Sequence, residues 1–391
     1  MRKDTLKYYS GHIFRGNGAG FGEGTVAVED GRIVEDGPLK NFGSIDGVEN
    51  IRNTIIAPLF FNAHTHLGDS FITDPPEGGL ERMVIPPDGL KHQCLRGAER
   101  KTIGESILRE LKFMTNSGTG FFCDYREGGI EGLDAMNIAK ETANISGIDV
   151  PAGLVLGRPE SGFDLSELKE LLELSDGVGL SCLEDFGLSE RQKITRAVRE
   201  RGKLISAHLS EGARERPEPA LECNAWPLIH LACATDEDLR KIAEAKLPVV
   251  VCPRSNLMFS LLPNVYRMIK AGVEIMVGTD NSFLTRPDMH AELDVLYRTF
   301  MHMNRGDIDG IAALYRSALG IPLLEFGRKN GSGSVKEKFQ AGYEIAVKGF
   351  TESGPASYQA LNNYLGATAK EIEYFLLNRA SAMDIIDVSN G

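Results

Sequence analysis

Four short motifs carry histidine or carboxylate side chains that could together bind a metal ion. They are His-Thr-His at His64 and His66, His-Leu-Ser-Glu at His208 and Glu211, the single His230, and Gly-Thr-Asp-Asn around Asp280. On a β-strand, residues i and i+2 point to the same side, so the imidazoles of His64 and His66 share one face. Imidazole nitrogens and carboxylate oxygens are ligands of Zn2+ and Fe2+. The motifs therefore predict a divalent-metal site, provided that the fold brings them together.

Short apolar runs separate these motifs and predict the strands that position them. The runs cover residues 55–61, 119–123, 152–156, 178–183, 204–207, 228–231, 248–252 and 274–277. Helical segments fill most of the intervals, and apolar strands that alternate with helices indicate a parallel sheet covered on both faces. Eight such strands favour an α/β fold of the closed (β/α)8 TIM-barrel type over an open sheet. The motifs stand at the ends of the first, fifth, sixth and eighth predicted strands, and barrel active sites lie at the C-terminal ends of strands.

Each motif also has an ordinary structural explanation. A His-x-His pair is commonly two polar residues at a strand end, His208 could be a core histidine, and Asp280 could cap a helix. Burying all of these titratable groups in one barrel mouth without a metal would cost several kcal/mol in unpaired polar groups. Their joint placement therefore favours a metal site over separate structural roles.

The segments on either side of the predicted barrel indicate a second, smaller unit. Residues 1–57 contain short alternating runs and Gly-rich turns that are typical of β-strands. A further β-like stretch covers residues 343–350, and residues 369–386 have a helical pattern. We therefore expect a small discontinuous β-sandwich module from residues 1–57 and 323–391, which includes a terminal helix, and a barrel over residues 58–322.

The composition argues against several classes of partner. The formal net charge is −12, from 43 basic and 55 acidic residues, whereas binding to a phosphate backbone requires a basic face, so we expect no nucleic-acid partner. No apolar run approaches the roughly 20 residues that span a bilayer, and the first residues lack the apolar stretch of a signal peptide. We expect no membrane contact, a cytoplasmic location and a homo-oligomer. The six cysteines form no C-x-x-C pair and are expected to be free thiols.

In their order along the chain, the four motifs resemble those of the amidohydrolase superfamily. The resemblance is to its deaminase and chlorohydrolase branch, which includes cytosine deaminase-like and S-adenosylhomocysteine deaminase-like enzymes, and Cys-Pro-Arg-Ser-Asn at residues 252–256 also resembles that branch. The resemblance implies metal ligands at His64, His66, His208 and Asp280. It also implies that His230 stabilises the attacking water or the transition-state oxygen, and that Glu211 shuttles a proton.

The resemblance also bears on the number of metal ions. Binuclear members of the superfamily bridge two metals with a lysine from the fourth strand, whereas here that strand ends in Leu-Ser-Cys-Leu-Glu at residues 180–184. The sequence therefore favours one divalent ion, with Zn2+ preferred over Fe2+ or Mn2+. Glu184 as a ligand of a second metal remains an alternative.

Substrate contacts are predicted at residues near the barrel mouth, namely Arg126, Arg158, His92 and Ser255. Guanidinium groups there would favour a substrate with carboxylate, phosphate or carbonyl oxygens, and the alternative is a set of ion-paired structural arginines. The Pro/Gly-rich loop from residue 67 to about residue 91 is a candidate lid.

The motifs and the resemblance together predict a metal-dependent hydrolase that deaminates an aminated N-heterocycle, such as a purine, pyrimidine, pteridine or nucleoside. In this mechanism a metal-bound hydroxide attacks the ring carbon, Asp280 accepts the proton of the water, and Glu211 shuttles a proton to the ring nitrogen before ammonia leaves. The alternatives are a cyclic amidohydrolase or a chlorohydrolase with the same metal site, and a catalytically inactive scaffold on the same fold. Adenosine-type members of the branch often carry a tryptophan in the first loop, whereas the single tryptophan here is Trp226.

Overall fold

The structure is a computed structural model that describes residues 6–14, 21–29, 32–37, 49–159, 164–304, 311–343, 357–362, 380–381, 383 and 385–390. Its strands are β1 (Lys7–Phe14), β2 (Phe21–Glu29), β3 (Arg32–Gly37), β4 (Glu49–Ala57), β5 (Phe60–His66), β6 (Thr119–Arg126), β7 (Ala152–Gly157), β8 (Gly177–Leu180), β9 (Leu204–Leu209), β10 (Leu228–His230), β11 (Val249–Val251), β12 (Ile275–Val277), β13 (Asp280–Asn281), β14 (Ser357–Asn362) and β15 (Ile385–Asn390). Its helices are α1 (Leu80–Met83), α2 (Leu90–Gly97), α3 (Arg100–Asn116), α4 (Gly129–Ser146), α5 (Leu165–Leu174), α6 (Leu188–Glu200), α7 (Glu218–Cys223), α8 (Asp236–Glu244), α9 (Pro253–Met258), α10 (Val265–Lys270), α11 (Met289–Met303), α12 (Ile311–Ala318), α13 (Ile321–Asn330) and α14 (Gly333–Tyr343).

Strands β5 to β13 form one curved sheet of parallel strands, and helices lie in the connections between them. The order across the sheet is β12-β11-β10-β9-β8-β7-β6-β5-β13. β12 and β13 are the two halves of the eighth barrel strand, because β12 pairs with β11 whereas β13 pairs with β5. The sheet therefore closes on itself, and the predicted α/β barrel is confirmed.

Side chains of the first and eighth barrel strands hold the closure together. Asn62 Nδ2 donates to Thr279 Oγ1 at 2.8 Å, and Asn62 Oδ1 accepts from the Thr279 backbone N–H at 3.1 Å. Glycine is required at position 278, because a Cβ there would lie 2.7 Å from the backbone nitrogen of His64. This close approach places Asp280 opposite Thr65 in the parallel ladder of β13 and β5.

The first barrel strand has different bounds from the apolar run that predicted it. The run at 55–61 is split, since β4 ends at Ala57 and β5 begins at Phe60. Pro58 lies at the break, and proline cannot donate a backbone hydrogen bond to a strand ladder. The His-Thr-His motif ends β5, as predicted for the first barrel strand, and every residue of β5 is buried.

The connection from β5 to α3 is long and lies over the barrel mouth. It contains a short 3-10 turn at Leu67–Asp69, then α1 and α2. We call residues 67–97 the lid segment.

The remaining strands form a second sheet with the order β15-β14-β4-β1-β2-β3. β1 runs parallel to β4, and the other neighbouring strands are antiparallel. Strands from both ends of the chain thus meet in one small sheet, and over the described residues the expected β-sandwich module corresponds to this six-stranded sheet.

Two secondary-structure predictions for the C-terminal part of the chain fall partly on residues that the structure describes. The predicted β-like stretch at 343–350 lies outside the described residues, apart from Tyr343, which ends α14. The predicted helix at 369–386 is wrong at its end, because Ile385 begins β15 and pairs with Leu361 of β14. Residues 369–379 of that prediction lie outside the described residues.

The described helices include none that is both long enough and apolar enough to cross a membrane. The six cysteines are free thiols, as expected, and Cys123, Cys223 and Cys252 are buried.

Candidate active site

Four imidazoles meet at the end of the barrel where the strands terminate. His64 and His66 lie in β5, His208 in β9 and His230 at the end of β10. Ring centroids are 4.8 Å apart for His64 and His66, 4.9 Å for His64 and His208, and 5.3 Å for His208 and His230. The fold therefore brings the predicted histidines into one cluster.

Asp280 joins the cluster from the eighth strand. Its Oδ1 lies 3.2 Å from His64 Nε2 and 3.3 Å from His66 Nε2, and its Oδ2 accepts a hydrogen bond from Ser255 Oγ at 2.5 Å. The backbone φ of Asp280 is +62°, and that of His230 is +77°. Such left-handed conformations are uncommon outside glycine and are found mainly where the surrounding structure holds a residue for function.

The donor set fits a divalent metal ion. Possible ligand atoms lie within 4.8 Å of one another in two overlapping groups, His64, His66 and His208 in the first and His64, His230 and Asp280 in the second. The His64 ring is fully buried, yet neither of its nitrogens has the geometry of a hydrogen bond to any described residue. A buried polar atom without a partner is costly, and a metal at His64 Nε2 would provide that partner.

Burial and neighbouring charges set the protonation of these imidazoles. Burial lowers the pKa of His64 to about 3, and burial with the neighbouring imidazoles lowers the pKa of His208 well below its usual range. Burial also lowers the pKa of His66, but Glu127 and Asp280 more than offset this, so that the net pKa is raised to about 9. His64 and His208 thus offer neutral nitrogen lone pairs, whereas metal binding at His66 would displace a proton.

Contacts behind the cluster orient two of the rings. His208 Nδ1 lies 3.0 Å from the carbonyl oxygen of Leu180. His66 Nδ1 lies 2.5 Å from Glu127 Oε1 and 3.1 Å from the carbonyl oxygen of Tyr125. Because Nδ1 is engaged in both rings, Nε2 is the nitrogen that remains for a metal, which is the usual arrangement of metal-binding histidines.

Glu211 and His230 form a pair beside the cluster, and Asn256 holds both of them. His230 Nε2 lies 3.3 Å from Glu211 Oε1. Asn256 Nδ2 lies 3.3 Å from Glu211 Oε1 and 3.3 Å from His230 Nδ1. Since an amide nitrogen only donates, His230 Nδ1 accepts and Nε2 carries the proton that faces Glu211. Burial raises the pKa of Glu211 above its ordinary value.

A cavity of about 830 Å3 is lined by His208 of the cluster and by Glu211. Ser181 and Cys182, which follow β8, also line it, as do residues of the lid segment between Gly79 and Asp88. Its volume is in the range of small-molecule pockets. A ligand in this cavity would lie between the lid segment and the imidazole cluster.

Comparison with known proteins identifies the family. The chain matches no protein-family model. It is 31% identical to a protein of Methanothermobacter thermautotrophicus, provisionally named an aminohydrolase, over 67% of this chain and 73% of that protein. It is 27% identical to the 5-methylthioadenosine/S-adenosylhomocysteine deaminase of Caldanaerobacter subterraneus, over 65% of this chain and 64% of that protein. The chain belongs to the amidohydrolase superfamily.

The likeness extends to solved structures of deaminases. The guanine deaminase of E. coli superposes with a TM-score of 0.70 over 99% of this chain and 98% of that chain, at 15% identity, which shows a common fold. With the relatives named above, the protein is a hydrolase of the deaminase branch of the amidohydrolase superfamily, and it acts on C–N bonds. The His and Asp side chains of the cluster could hold a divalent metal ion.

The four predicted substrate contacts have different surroundings in this amidohydrolase fold. Arg126 is fully buried and makes ion pairs with Asp124 at 3.3 Å and Glu127 at 2.9 Å, which is the structural alternative considered above. Ser255 donates to Asp280. The hydrogen bonds described for Arg126 and Ser255 are therefore to other protein side chains. Their contact with substrate stays a prediction.

Arg158 and His92 both line a cavity near the barrel mouth. Arg158 Nη2 donates to Ser181 Oγ at 2.9 Å, and Ser181 lines the large cavity. His92 is buried in the lid segment, with Nε2 3.0 Å from the Val84 carbonyl oxygen, and burial lowers its pKa to about 4. The cavity that both residues line has a volume of about 280 Å3. Their contact with substrate stays a prediction.

Sequence reasoning missed three polar residues that touch the cluster or its neighbours, namely Asn256, Glu127 and Lys91. Asn256 follows Ser255 in the Cys-Pro-Arg-Ser-Asn motif at residues 252–256. Nothing in the sequence indicates which of these two side chains faces Glu211. The alternative second-metal ligand, Glu184, is exposed and contacts Arg216 at 3.4 Å, so it does not join the cluster.

Proposed function

We propose that this enzyme is a metal-dependent hydrolytic deaminase of an aminated N-heterocycle, in the class of purines, pyrimidines, pteridines or their nucleosides. The observation that carries the proposal is the position of Glu211. Glu211 lines the large cavity, its Oε1 lies 3.3 Å from His230 Nε2, and it does not belong to either group of possible metal ligands. A carboxyl group placed in this way can exchange protons with a substrate while other residues hold the metal.

The proposed metal ligands are His64, His66, His208 and Asp280, and Zn2+ is the proposed ion because imidazole nitrogens dominate the donor set. When bound, such an ion supplies a Lewis acid that lowers the pKa of water toward neutrality. The neutral state of His64 and His208 suits this role, since a protonated ring has no lone pair to offer.

Asp280 and Glu211 divide the proton transfers in the proposed reaction. The close contacts and charges of His64 and His66 hold the pKa of Asp280 well below its usual range in spite of burial, so its carboxylate is ionised and can accept a proton from the attacking water. Glu211 then delivers a proton to the ring nitrogen of the substrate, since it faces the cavity. The water oxygen bonds to the ring carbon. The amino group gains the proton that Asp280 took from the water and leaves as ammonia, while the hydroxyl proton on the ring carbon passes to Glu211 and restores its protonated state.

His230 is proposed to stabilise the oxygen that develops negative charge. The contact with Asn256 places the proton on His230 Nε2, on the side of Glu211. A preorganised N–H donor aimed at developing charge stabilises the transition state more than the ground state.

The comparisons support an aminated purine as the first substrate class to test. The deaminase relative acts on 5-methylthioadenosine and S-adenosylhomocysteine, and the structural neighbour is a guanine deaminase. The single tryptophan, Trp226, packs between the rings of Phe326 and Phe339 and so is part of the core. An adenine-stacking tryptophan in the lid segment is therefore not available, which favours testing guanine-type and pteridine substrates beside adenosine-type ones.

The test is a screen for ammonia release by the protein loaded with Zn2+, Mn2+ or Fe2+. We expect ammonia and a deaminated ring from at least one aminated heterocycle. Glu211→Gln should lower kcat by about 10²- to 10⁴-fold while the metal content stays unchanged. Glu184→Gln is the matched control, because Glu184 is exposed and its carboxylate contacts Arg216 rather than the cluster.

Other outcomes would contradict the proposal. Ring opening without ammonia would indicate a cyclic amidohydrolase, and chloride release would indicate a chlorohydrolase. Metal binding without turnover of any compound in these classes would favour an inactive scaffold. Unchanged turnover in Glu211→Gln with metal bound would refute the proton-shuttle role.

A further inference from the structure

A buried lysine lies at the barrel mouth and comes from the lid segment. Lys91, in the first turn of α2, is only 2% exposed. Its Nζ lies 2.5 Å from Glu127 Oε1, 2.6 Å from Asn281 Oδ1 and 3.7 Å from Asp69 Oδ2. Lysine is rarely buried unless it is paired, so this side chain has a specific role in the fold.

The three partners of Lys91 belong to three different parts of the barrel rim. Asp69 follows β5, Glu127 follows β6, and Asn281 ends β13. α2 itself buries little else, since Lys91 and His92 are its only buried residues. The contact of His92 is to Val84, which is also in the lid segment. Lys91 is therefore the main polar attachment of α2 to the first, second and eighth strands.

Glu127 connects this attachment to the imidazole cluster. The same atom, Glu127 Oε1, lies 2.5 Å from Lys91 Nζ and 2.5 Å from His66 Nδ1. The other oxygen, Oε2, accepts from Arg126 Nη2 at 2.9 Å. Arg126 is itself closely packed against the backbone at Gly68. A Cβ at position 68 would lie 2.3 Å from its guanidinium carbon, so only glycine leaves enough space for the guanidinium group. Arg126 thus holds one carboxylate oxygen of Glu127, and Lys91 and His66 both contact the other oxygen.

Removal of Lys91 would change the charge balance around His66. Glu127 Oε1 would lose one of the two contacts that hold it, and Asp69 would lose its contact with the same lysine. Glu127 would therefore be less firmly placed and less able to hold the His66 ring.

We propose that Lys91 is a positioning residue that fastens the lid segment to the barrel mouth and, through Glu127, holds His66 in place for the metal. This inference rests on the proposed metal site. It implies a reciprocal coupling, since a contact that stabilises the metal site by holding the lid segment is itself stabilised when the metal is bound. The side chain that closes the lid segment is then also one that sets the affinity for the metal.

The test compares Lys91→Met and Lys91→Arg with the wild-type protein by two measurements. The first is the dissociation constant for Zn2+, measured by competition with a chelator. The second is the hydrogen exchange of peptides that cover α1 and α2, with and without Zn2+. Lys101→Met is the matched control, because it removes the same charge from an exposed lysine of α3 whose ion pair is with Glu105 of the same helix.

We expect Lys91→Met to weaken Zn2+ binding by about 10- to 100-fold, the usual effect of changing a residue that supports a metal ligand. The α2 peptides should exchange roughly tenfold faster or more, because one partner of a buried ion pair is lost. Removal of Zn2+ from the wild type should also speed the exchange of α2, and should have much less effect in Lys91→Met. Lys91→Arg should recover part of both losses, and Lys101→Met should behave as wild type.

Unchanged Zn2+ affinity and unchanged exchange of α2 in Lys91→Met would overturn the proposal. Faster exchange of α2 with unchanged Zn2+ affinity would overturn the coupling through Glu127. If Lys91→Met unfolds, Lys91→Arg and Glu127→Gln are compared in the same way, and wild-type behaviour of both would refute the coupling. Failure of the wild-type protein to bind any divalent ion would reject the proposed function, and the exchange of α2 in Lys91→Met would still decide whether Lys91 holds the lid segment.

Discussion

Replacing Asn256 with alanine removes the amide that holds Glu211 and His230 together. In the folded protein Asn256 Nδ2 is 3.3 Å from an oxygen of Glu211 and 3.3 Å from a nitrogen of His230. The variant leaves the possible metal ligands His64, His66, His208 and Asp280 in place. We therefore expect Asn256→Ala to keep its metal and its fold while it loses activity.

The size of the loss follows from the two hydrogen bonds. A hydrogen bond to a charged group contributes about 1.5–3 kcal/mol, and one between neutral groups about 1 kcal/mol. Both contacts are at the long end of the range for N–H donors, so we take a combined value of about 2–3 kcal/mol. If this stabilisation of about 2–3 kcal/mol is lost in the transition state, kcat/KM falls by about 30- to 160-fold.

The loss should also be visible in the pH dependence. Asn256 donates to the carboxylate of Glu211 and thereby favours its ionised form, so removal of the amide raises the pKa of Glu211 further above its ordinary value. Glu211 must carry a proton in order to deliver it to the ring nitrogen, so this step is lost as the pH rises through its pKa. The limb on which kcat/KM falls with rising pH should therefore move to higher pH in Asn256→Ala.

The assay is ammonia release across a pH series, together with measurement of the bound metal. Asn330→Ala is the matched control, since Asn330 is exposed and donates only to a carbonyl oxygen in its own helix. Nitrogen-15 NMR of the wild-type protein should show His230 with its proton on Nε2, and this checks the arrangement without a substrate. A kcat/KM within threefold of wild type, with an unshifted basic limb, would refute the role assigned to Asn256.

Three further predictions concern the surroundings of the cluster. Ser255→Ala removes the hydroxyl that donates to Asp280, so the affinity for Zn2+, measured by competition with a chelator, should fall by about 10- to 100-fold. Because the pKa of His66 is raised to about 9, metal binding must displace its proton, and the affinity for Zn2+ should rise by about tenfold per pH unit from pH 7 to 9; a flat profile would contradict this. Burial raises the pKa of Glu292 to about 8, so the folded state keeps this carboxyl protonated where the unfolded chain ionises it, and stability is lost as the pH rises from about 4.5 to 8. Urea unfolding should show that Glu292→Gln matches wild type near pH 4 and exceeds it by at most about 5 kcal/mol at pH 9, and equal stability at both pH values would be the contrary result.

The barrel and its metal-binding motifs could be predicted from the sequence because their signals are local. A strand has a period of two residues, so His64 and His66 point to one side wherever that strand lies. Apolar runs that alternate with helical segments indicate a parallel sheet, and in a barrel the residues at the strand ends must converge. The places of His208, His230 and Asp280 near the ends of β9, β10 and β13 follow from these rules.

Other elements could not be predicted, because their structure depends on partners far away in the chain. Residues Ile385 and Ile386 have a helical pattern, yet they lie in β15, where the ladder to β14 provides backbone hydrogen bonds. The run at 55–61 is split between two sheets because β4 pairs with β1 and β14, whereas β5 pairs with β6 and β13. No pattern within the run itself shows to which sheet each half belongs.

The sequence by itself determined the fold class and which residue types collect at the barrel mouth. Only the tertiary structure decided how those residues are held: Lys91 reaches Glu127 and Asn281 from the lid segment, and Asn256 faces Glu211 and His230. The physical reason is that strand and helix periods fix the direction of side chains within an element. The direction of a side chain in a long connection, and its distance from another element, depend on how the whole barrel packs.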